Sequence, residues 1–62
     1  MPTLTIEGPP IPDLGRKRAL VKAATAAAVE AYGLPAEIIV VVIKENAPEN
    51  VGVGGHLIAD RD

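Results

Sequence analysis

Few residues in this sequence could do chemistry, and the most distinctive is Pro2, which follows the initiator methionine. An initiator methionine before a small residue is usually removed, and its removal would turn the Pro2 nitrogen into a free secondary amine. An α-amino group has a pKa of about 7.7 to 8.0 in water, and burial beside cations would lower that pKa towards the range where a general base works best. The alternative is structural, because proline is tolerated at the first position of a β-strand.

The second candidate is the basic run Arg16, Lys17 and Arg18, at the start of a predicted helix. The helix dipole disfavours cations there, so this run is expected either to face solvent or to bind an anion. Lys17 differs from its neighbours because the helical wheel places it in the middle of the apolar face. Its aliphatic stem could pass along the first turn so that the ammonium reaches water, or its ammonium could bind a ligand. Both interpretations stay open.

The other polar residues do not form a catalytic cluster. The chain has no cysteine and no serine, so the usual nucleophiles are missing, and His56 has no second histidine or cysteine with which to hold a metal. Gly52 and Gly54 are followed by Leu57 where the dinucleotide fingerprint needs a third glycine, so we assign these glycines to backbone bending. We expect neither a metal nor a cofactor, and we place the acidic residues on the solvated surface, apart from a helix cap at Asp13.

The length and composition predict one domain, over residues 1–62, that functions as a homo-oligomer. A chain this short buries only about 60% of the surface that its unfolded form exposes, and small domains usually need disulfides, a metal or oligomerisation. The net charge of −2 argues against a nucleic-acid partner. The longest apolar run, 38–43, is too short to span a membrane, and the N-terminus shows no secretory signal. We therefore expect a cytoplasmic protein without a membrane partner.

Two strands flank the predicted helix. Residues 2–7 alternate between polar and apolar side chains, as in a strand with one buried face, and the prolines of 8–12 end that strand. Residues 38–43 form an unbroken β-branched run, typical of a strand covered on both faces and usually parallel to its neighbour. The fold class expected is α/β (α+β): a β-α-β subunit with a parallel two-stranded sheet. One helix covers only one sheet face, so a second subunit should cover the other.

The helix is predicted over 14–32, with Asp13 as its N-cap and Gly33 as the left-handed residue that ends it. Its apolar face is expected to comprise seven residues: Leu20, Val21, Ala24, Ala27, Ala28, Ala31 and Tyr32. After the second strand, residues 44–50 read as a polar loop and 51–55 as a short hairpin or bent strand.

Taken together, the Met1-Pro2 start, the strand-helix-strand order and the segment Asn50-Val51-Gly52-Val53-Gly54-Gly55 resemble the 4-oxalocrotonate tautomerase family, also called 2-hydroxymuconate tautomerases. The resemblance covers essentially the whole chain. It implies a β-α-β subunit assembled as a hexamer, usually a trimer of dimers. It also implies that Pro2 is a general base that takes a proton from a dienol, or from the carbon next to a carbonyl, and returns it at another carbon without a cofactor.

The sequence departs from the family at three pocket positions. The family arginine after the first strand aligns with Pro12, the arginine of the second strand aligns with Val40, and the aromatic pocket wall aligns with Val51. We expect Arg16 or Lys17 of a neighbouring subunit to bind the substrate carboxylates instead, with Val51 lining the pocket.

The resulting prediction is a tautomerase that interconverts enol and keto forms of an unsaturated 2-hydroxy/2-oxo acid such as 2-hydroxymuconate. Two alternatives remain at this stage. One is a hydratase, a dehalogenase or a decarboxylase-like enzyme of the same superfamily that also depends on Pro2. The other is a small oligomeric interaction protein without catalysis, in which Pro2 only begins a strand.

Overall fold

The structure is a computed structural model that describes residues 1–61. It contains strand β1 (Thr3–Gly8), helix α1 (Leu14–Tyr32) and strand β2 (Val40–Glu45), followed by a hairpin of strands β3 (Gly52–Val53) and β4 (His56–Leu57). β1 and β2 pair in parallel, and β3 and β4 pair antiparallel. The β-α-β subunit with a parallel sheet and a C-terminal hairpin is therefore confirmed.

Local signals set both ends of α1. Asp13 is the N-cap, and its Oδ1 accepts a hydrogen bond of 2.8 Å from the amide of Gly15. At the other end Gly33 has a φ of 65°, and its amide donates to the carbonyl of Val29. This left-handed conformation is costly for a residue with a Cβ, which explains why a glycine ends the helix. The predicted bounds and both caps are confirmed.

The buried face of α1 differs from the prediction near its C-terminus. The side chains that are buried or half-buried are those of Lys17, Leu20, Val21, Ala24, Thr25, Ala28 and Val29. Ala27 and Ala31 are exposed, and Tyr32 is 61% exposed. The prediction was wrong for these three residues because the buried stripe is displaced towards Thr25 and Val29 and stops before residues 30–32, all of which are exposed.

The second strand lies further along the chain than predicted. Residues 36–38 form a 3₁₀ turn after Pro35, and β2 continues through Lys44 and Glu45, which were predicted to lie in a loop. The reason is pairing with β1: its six residues have partners from Val40 to Glu45, ending with Gly8 opposite Glu45. β1 itself is shifted one residue from the predicted range 2–7.

The hairpin turns on Gly54 and Gly55, whose φ values are 63° and 84°. Two consecutive positive φ values are characteristic of the turn that matches the twist of a two-residue hairpin. The assignment of Gly54 to backbone bending is thereby confirmed, whereas Gly52 has ordinary strand geometry.

The sheet has one covered face and one open face. Leu4, Ile6, Val41 and Ile43 are half-buried on the side of α1, whereas Thr3 and Thr5 are exposed on the other side and Val42 beside them is 37% exposed. Within residues 1–61, Ala28 alone is buried, with 4% of its surface exposed.

The isolated chain exposes more surface than a compact monomer of its mass. Its accessible area is 4731 Å², whereas the usual scaling with mass gives about 3800 Å² for a protein of 6.4 kDa. The excess, about 900 Å², is close to the roughly 800 Å² that each partner buries in a standard interface. No helix among residues 1–61 is both long and apolar enough to cross a membrane.

Candidate active site

Pro2 lies immediately before β1, at the end of the sheet where both parallel strands begin. It is half-buried, and its carbonyl accepts a hydrogen bond of 3.0 Å from the amide of Val40, the first residue of β2. This bond fixes Pro2 beside the start of the second strand. Met1 is 87% exposed, so its removal would free the Pro2 nitrogen without taking a packed side chain from the fold.

The other predicted site residues lie at the opposite end of β1. Arg16 and Val51 line two different cavities, and Gly8, the last residue of β1, lines both. The six residue steps from Pro2 to Gly8 span about 20 Å at the usual rise of an extended strand. One chain therefore does not bring Pro2 together with Arg16 or Val51.

The first cavity, which we call the hairpin groove, lies between the end of β1 and the C-terminal hairpin. It has a volume of about 460 Å³, and its apolar walls come from Pro9, Pro48, Val51 and Ile58. The amide of Ile58 donates to the carbonyl of Val51 at 2.8 Å, which holds these two side chains in neighbouring positions. Val51 is thus part of an apolar wall.

The hairpin groove also has a polar edge. The side-chain amide of Asn46 donates to Oε2 of Glu7 at 2.7 Å, and the backbone amide of Asn46 donates to the carbonyl of Gly8 at 2.9 Å. The second bond continues the ladder of the parallel sheet by one residue. As a result, one carboxylate and one amide lie at fixed positions beside an otherwise apolar surface.

The second cavity, which we call the loop cleft, lies between the proline-rich loop of residues 9–12 and the ends of the two parallel strands. Its volume is about 410 Å³, and Pro12, Arg16 and Lys44 line it. Pro12 occupies the position at which the resemblance implies an arginine, and two cations of this chain therefore line the same cavity as that position. Lys44 was not among the predicted site residues because it was predicted to lie in a loop.

A third cluster joins helix, loop and strand around Glu45. Its Oε1 accepts from the ammonium of Lys17 at 2.8 Å, and its Oε2 accepts from the backbone amide of Ile11 at 2.6 Å. The side chains of Lys17 and Glu45 remain 31% and 29% exposed. Hydrogen bonding by Lys17, and then by the Ile11 amide, lowers the pKa of Glu45 below its ordinary value of 4.5.

Glu45 was predicted to be a solvated surface acid, and its contact with Lys17 was not predicted. A signal was present in the charges: Lys17 lies in the apolar stripe of α1, and Glu45 follows an apolar strand, so each needed an opposite charge nearby. The structure shows that the Lys17 ammonium ends on the carboxylate of Glu45. Among residues 1–61, no three metal-ligating side chains lie close enough together to hold an ion.

The fold and the position of Pro2 define a class of protein, the small β-α-β tautomerases. A sequence model of the tautomerase family, described as a tautomerase enzyme, matches residues 2–61. The chain belongs to this family. It is therefore a cofactor-independent isomerase, and the alternative of an interaction protein without catalysis is set aside.

Solved structures agree with this assignment. The chain is similar to DmpI from Archaeoglobus fulgidus, with 47% identity and a TM-score of 0.84 over 95% of this chain and 100% of that one. It is similar to a 4-oxalocrotonate tautomerase homologue at 27% identity and a TM-score of 0.89, over 100% of this chain and 98% of the other.

A third similar structure is a heterohexamer 4-oxalocrotonate tautomerase from Chloroflexus aurantiacus. It has 30% identity and a TM-score of 0.84, over 97% of each chain. No curated protein matches the sequence.

Proposed function

We propose that this enzyme interconverts the enol and keto forms of an unsaturated 2-hydroxy/2-oxo acid such as 2-hydroxymuconate, with the Pro2 amine as general base. The observation that carries the proposal is the match of the tautomerase family to residues 2–61, with Pro2 at the head of β1. The composition supports it, because a chain without cysteine or serine has few other groups for this chemistry.

The proposed reaction needs only proton transfer. After removal of Met1, the secondary amine of Pro2 takes the proton of the enol hydroxyl, and the ammonium that results returns a proton to a carbon of the unsaturated chain. The hydroxyl becomes a ketone, the double bond moves, and the amine is restored. An amine with a pKa of about 7.7 to 8.0 before any perturbation is suited to both steps near neutral pH.

The proposed active site requires at least two copies of the chain. Pro2 is separated from Arg16 and Val51 by the length of β1, about 20 Å, so a substrate of a few carbon atoms cannot reach both ends within one subunit. We propose that Arg16 of a neighbouring subunit binds a carboxylate and that Val51 lines the pocket. Lys17, also a predicted binder, would contribute through the ion pair that holds it to Glu45.

The assembly that we propose is a homo-oligomer, most simply a hexamer built as a trimer of dimers. The excess surface of the single chain, the open sheet face around Val42 and the heterohexameric state named for the similar Chloroflexus aurantiacus enzyme support it. A cytoplasmic location remains part of the proposal.

A second reaction of the same superfamily, hydration or dehalogenation, is favoured by one observation. Pro12 and Val40 occupy the positions at which the resemblance implies arginines. Fewer cations around the substrate would stabilise a developing enolate less, and the loss of one such donor can cost about 10² to 10³ in rate. A different substrate would fit a pocket with this reduced charge.

Mass spectrometry and an absorbance assay test the proposal together. We expect the purified protein to lack Met1 and to ketonise 2-hydroxymuconate. Pro2→Ala should reduce kcat/KM about 100-fold or more, the usual range for loss of a general base. The matched control is Pro35→Ala, which replaces an exposed proline at the start of the 3₁₀ turn before β2.

Because Pro2→Ala leaves a primary amine, a second preparation keeps one extra residue before Pro2 so that its nitrogen stays an amide. That preparation should be inactive. Activity equal to that of the processed enzyme, in either the amide preparation or a protein that retains Met1, would refute Pro2 as the base.

A further inference from the structure

The loop cleft contains two cations from different elements. Arg16 comes from the first turn of α1 and Lys44 from the end of β2, and both side chains are exposed. Within residues 1–61 the one side-chain ion pair joins Lys17 to Glu45. The guanidinium of Arg16 and the ammonium of Lys44 therefore have no carboxylate partner in that part of the chain.

Glu7 is the acidic residue of the same cleft, and its contacts limit how far it neutralises the cations. Glu7 lies opposite Lys44 in the parallel sheet, yet no ion pair forms between them. Its Oε2 instead accepts from the side-chain amide of Asn46 at 2.7 Å. Two positive charges and one negative charge leave the cleft with a net positive charge.

We propose that the loop cleft is a carboxylate-binding subsite in which Arg16 and Lys44 together hold one carboxylate of the substrate. Arginine offers a planar fork that matches the two oxygens, and lysine adds a second charge at one of them. The volume of about 410 Å³ lies within the range of small-molecule sites. This inference rests on the proposed function for the identity of the ligand, and it adds Lys44 to the site.

Lys17 has a different role in this scheme, because Glu45 already occupies its ammonium. Through Glu45, Lys17 is linked to the amide of Ile11, which belongs to the wall of the cleft. Lys17 is thus a positioning residue that holds the loop, whereas Arg16 and Lys44 face the ligand.

The test is binding of fumarate, an unreactive dicarboxylate, to the full chain by isothermal titration calorimetry. Arg16→Gln and Lys44→Gln should each weaken binding about tenfold or more, as expected for loss of a hydrogen bond between charged groups. Lys22→Gln, which removes an exposed cation outside the cleft, should change the affinity by less than about twofold. Circular dichroism checks that the variants are folded.

A second measurement uses the unaltered protein. Fumarate should shift the NMR signals of the Gly8 and Ile11 amides, which belong to the cleft, and higher salt should weaken the binding. Wild-type affinity in either Arg16→Gln or Lys44→Gln overturns the two-cation subsite, as does an equal loss in Lys22→Gln. Shifts confined to residues outside the cleft also overturn it.

Measuring ketonisation as well as fumarate binding distinguishes failure of the subsite from failure of the proposed function. If both hold, Pro2→Ala loses ketonisation and retains fumarate affinity. A protein that binds fumarate through Arg16 and Lys44 but does not ketonise 2-hydroxymuconate would refute the function and keep the subsite. If the protein ketonises 2-hydroxymuconate but neither Arg16→Gln nor Lys44→Gln changes its affinity for fumarate, the proposed function stands and the subsite is refuted.

Discussion

The ammonium of Lys17 lies 2.8 Å from Oε1 of Glu45, although 28 positions separate the two residues in the sequence. The other oxygen of Glu45 accepts from the backbone amide of Ile11. One carboxylate thereby ties the helix, the end of the parallel sheet and the proline-rich loop to one another. This contact holds the wall of the loop cleft in place.

The Glu45 carboxylate should make the stability of the fold depend on pH in the acid range. The pKa of Glu45 is lowered in the folded chain. Its ionised form therefore stabilises the fold at pH values above the ordinary pKa of 4.5. This contribution is lost as the pH falls through the lower pKa of the folded chain. Glu45→Gln should therefore lose less stability than the wild type when the pH is lowered below 4.5. Thermal unfolding followed by circular dichroism measures this at one protein concentration.

The matched control is Glu49→Gln, which neutralises an exposed glutamate in the turn before the hairpin. It should keep the acid dependence of the wild type. High salt should reduce the difference between Glu45→Gln and the wild type, because both partners of the pair are partly exposed and their attraction is screened. Parallel pH curves for Glu45→Gln and the wild type would contradict the assigned role.

The open sheet face should be the surface on which subunits meet. Val42→Asp would place a carboxylate where a partner is expected to cover the sheet, and burial of an unpaired charge costs several kcal/mol. We expect sedimentation velocity to show a smaller assembly for this variant. Ala26→Asp, on the exposed side of α1, is the control and should keep the wild-type assembly. An unchanged sedimentation coefficient for Val42→Asp would place the interface elsewhere.

Replacing Gly33, which ends α1, should lower the stability of the fold. Its φ is 65°, and a Cβ at this position would meet no atom within 4 Å, so any loss of stability comes from the backbone alone. Gly33→Ala should destabilise the fold by about 1 to 2 kcal/mol, which lowers Tm by several degrees. Gly8→Ala is the matched control, because it too meets no atom within 4 Å and has no positive φ. A similar fall in Tm for both variants would contradict this explanation.

The features that the sequence predicted are those that depend on neighbouring residues. Asp13 and Gly33 set the two ends of α1 through contacts within four positions of the chain, and Gly54 sets the hairpin turn through its own backbone conformation. The family could be predicted because the Met1-Pro2 start and the segment 50–55 occur at characteristic positions in so short a chain.

The features that escaped prediction depend on residues distant in sequence. The C-terminal end of β2 is set by pairing with β1, which places Glu45 opposite Gly8, and no local signal marks that end. Lys44 was assigned to a loop for the same reason. The contact of Glu45 with Lys17 becomes visible only when the parallel register is known.

If the active site is shared between subunits, mixing two variants that are impaired at different residues should restore part of the activity. Pro2→Ala lacks the proposed base, and Arg16→Gln lacks the proposed carboxylate binder, but a mixed oligomer contains sites with Pro2 from one chain and Arg16 from the other. Random assembly at equal amounts makes about one site in four complete in a symmetric oligomer. Unfolding and refolding the two variants together should therefore restore about a quarter of the wild-type ketonisation rate, whereas each variant refolded alone should stay at about a tenth of that rate or less. No recovery in a preparation shown by mass spectrometry to contain mixed oligomers would place Pro2 and Arg16 in separate sites.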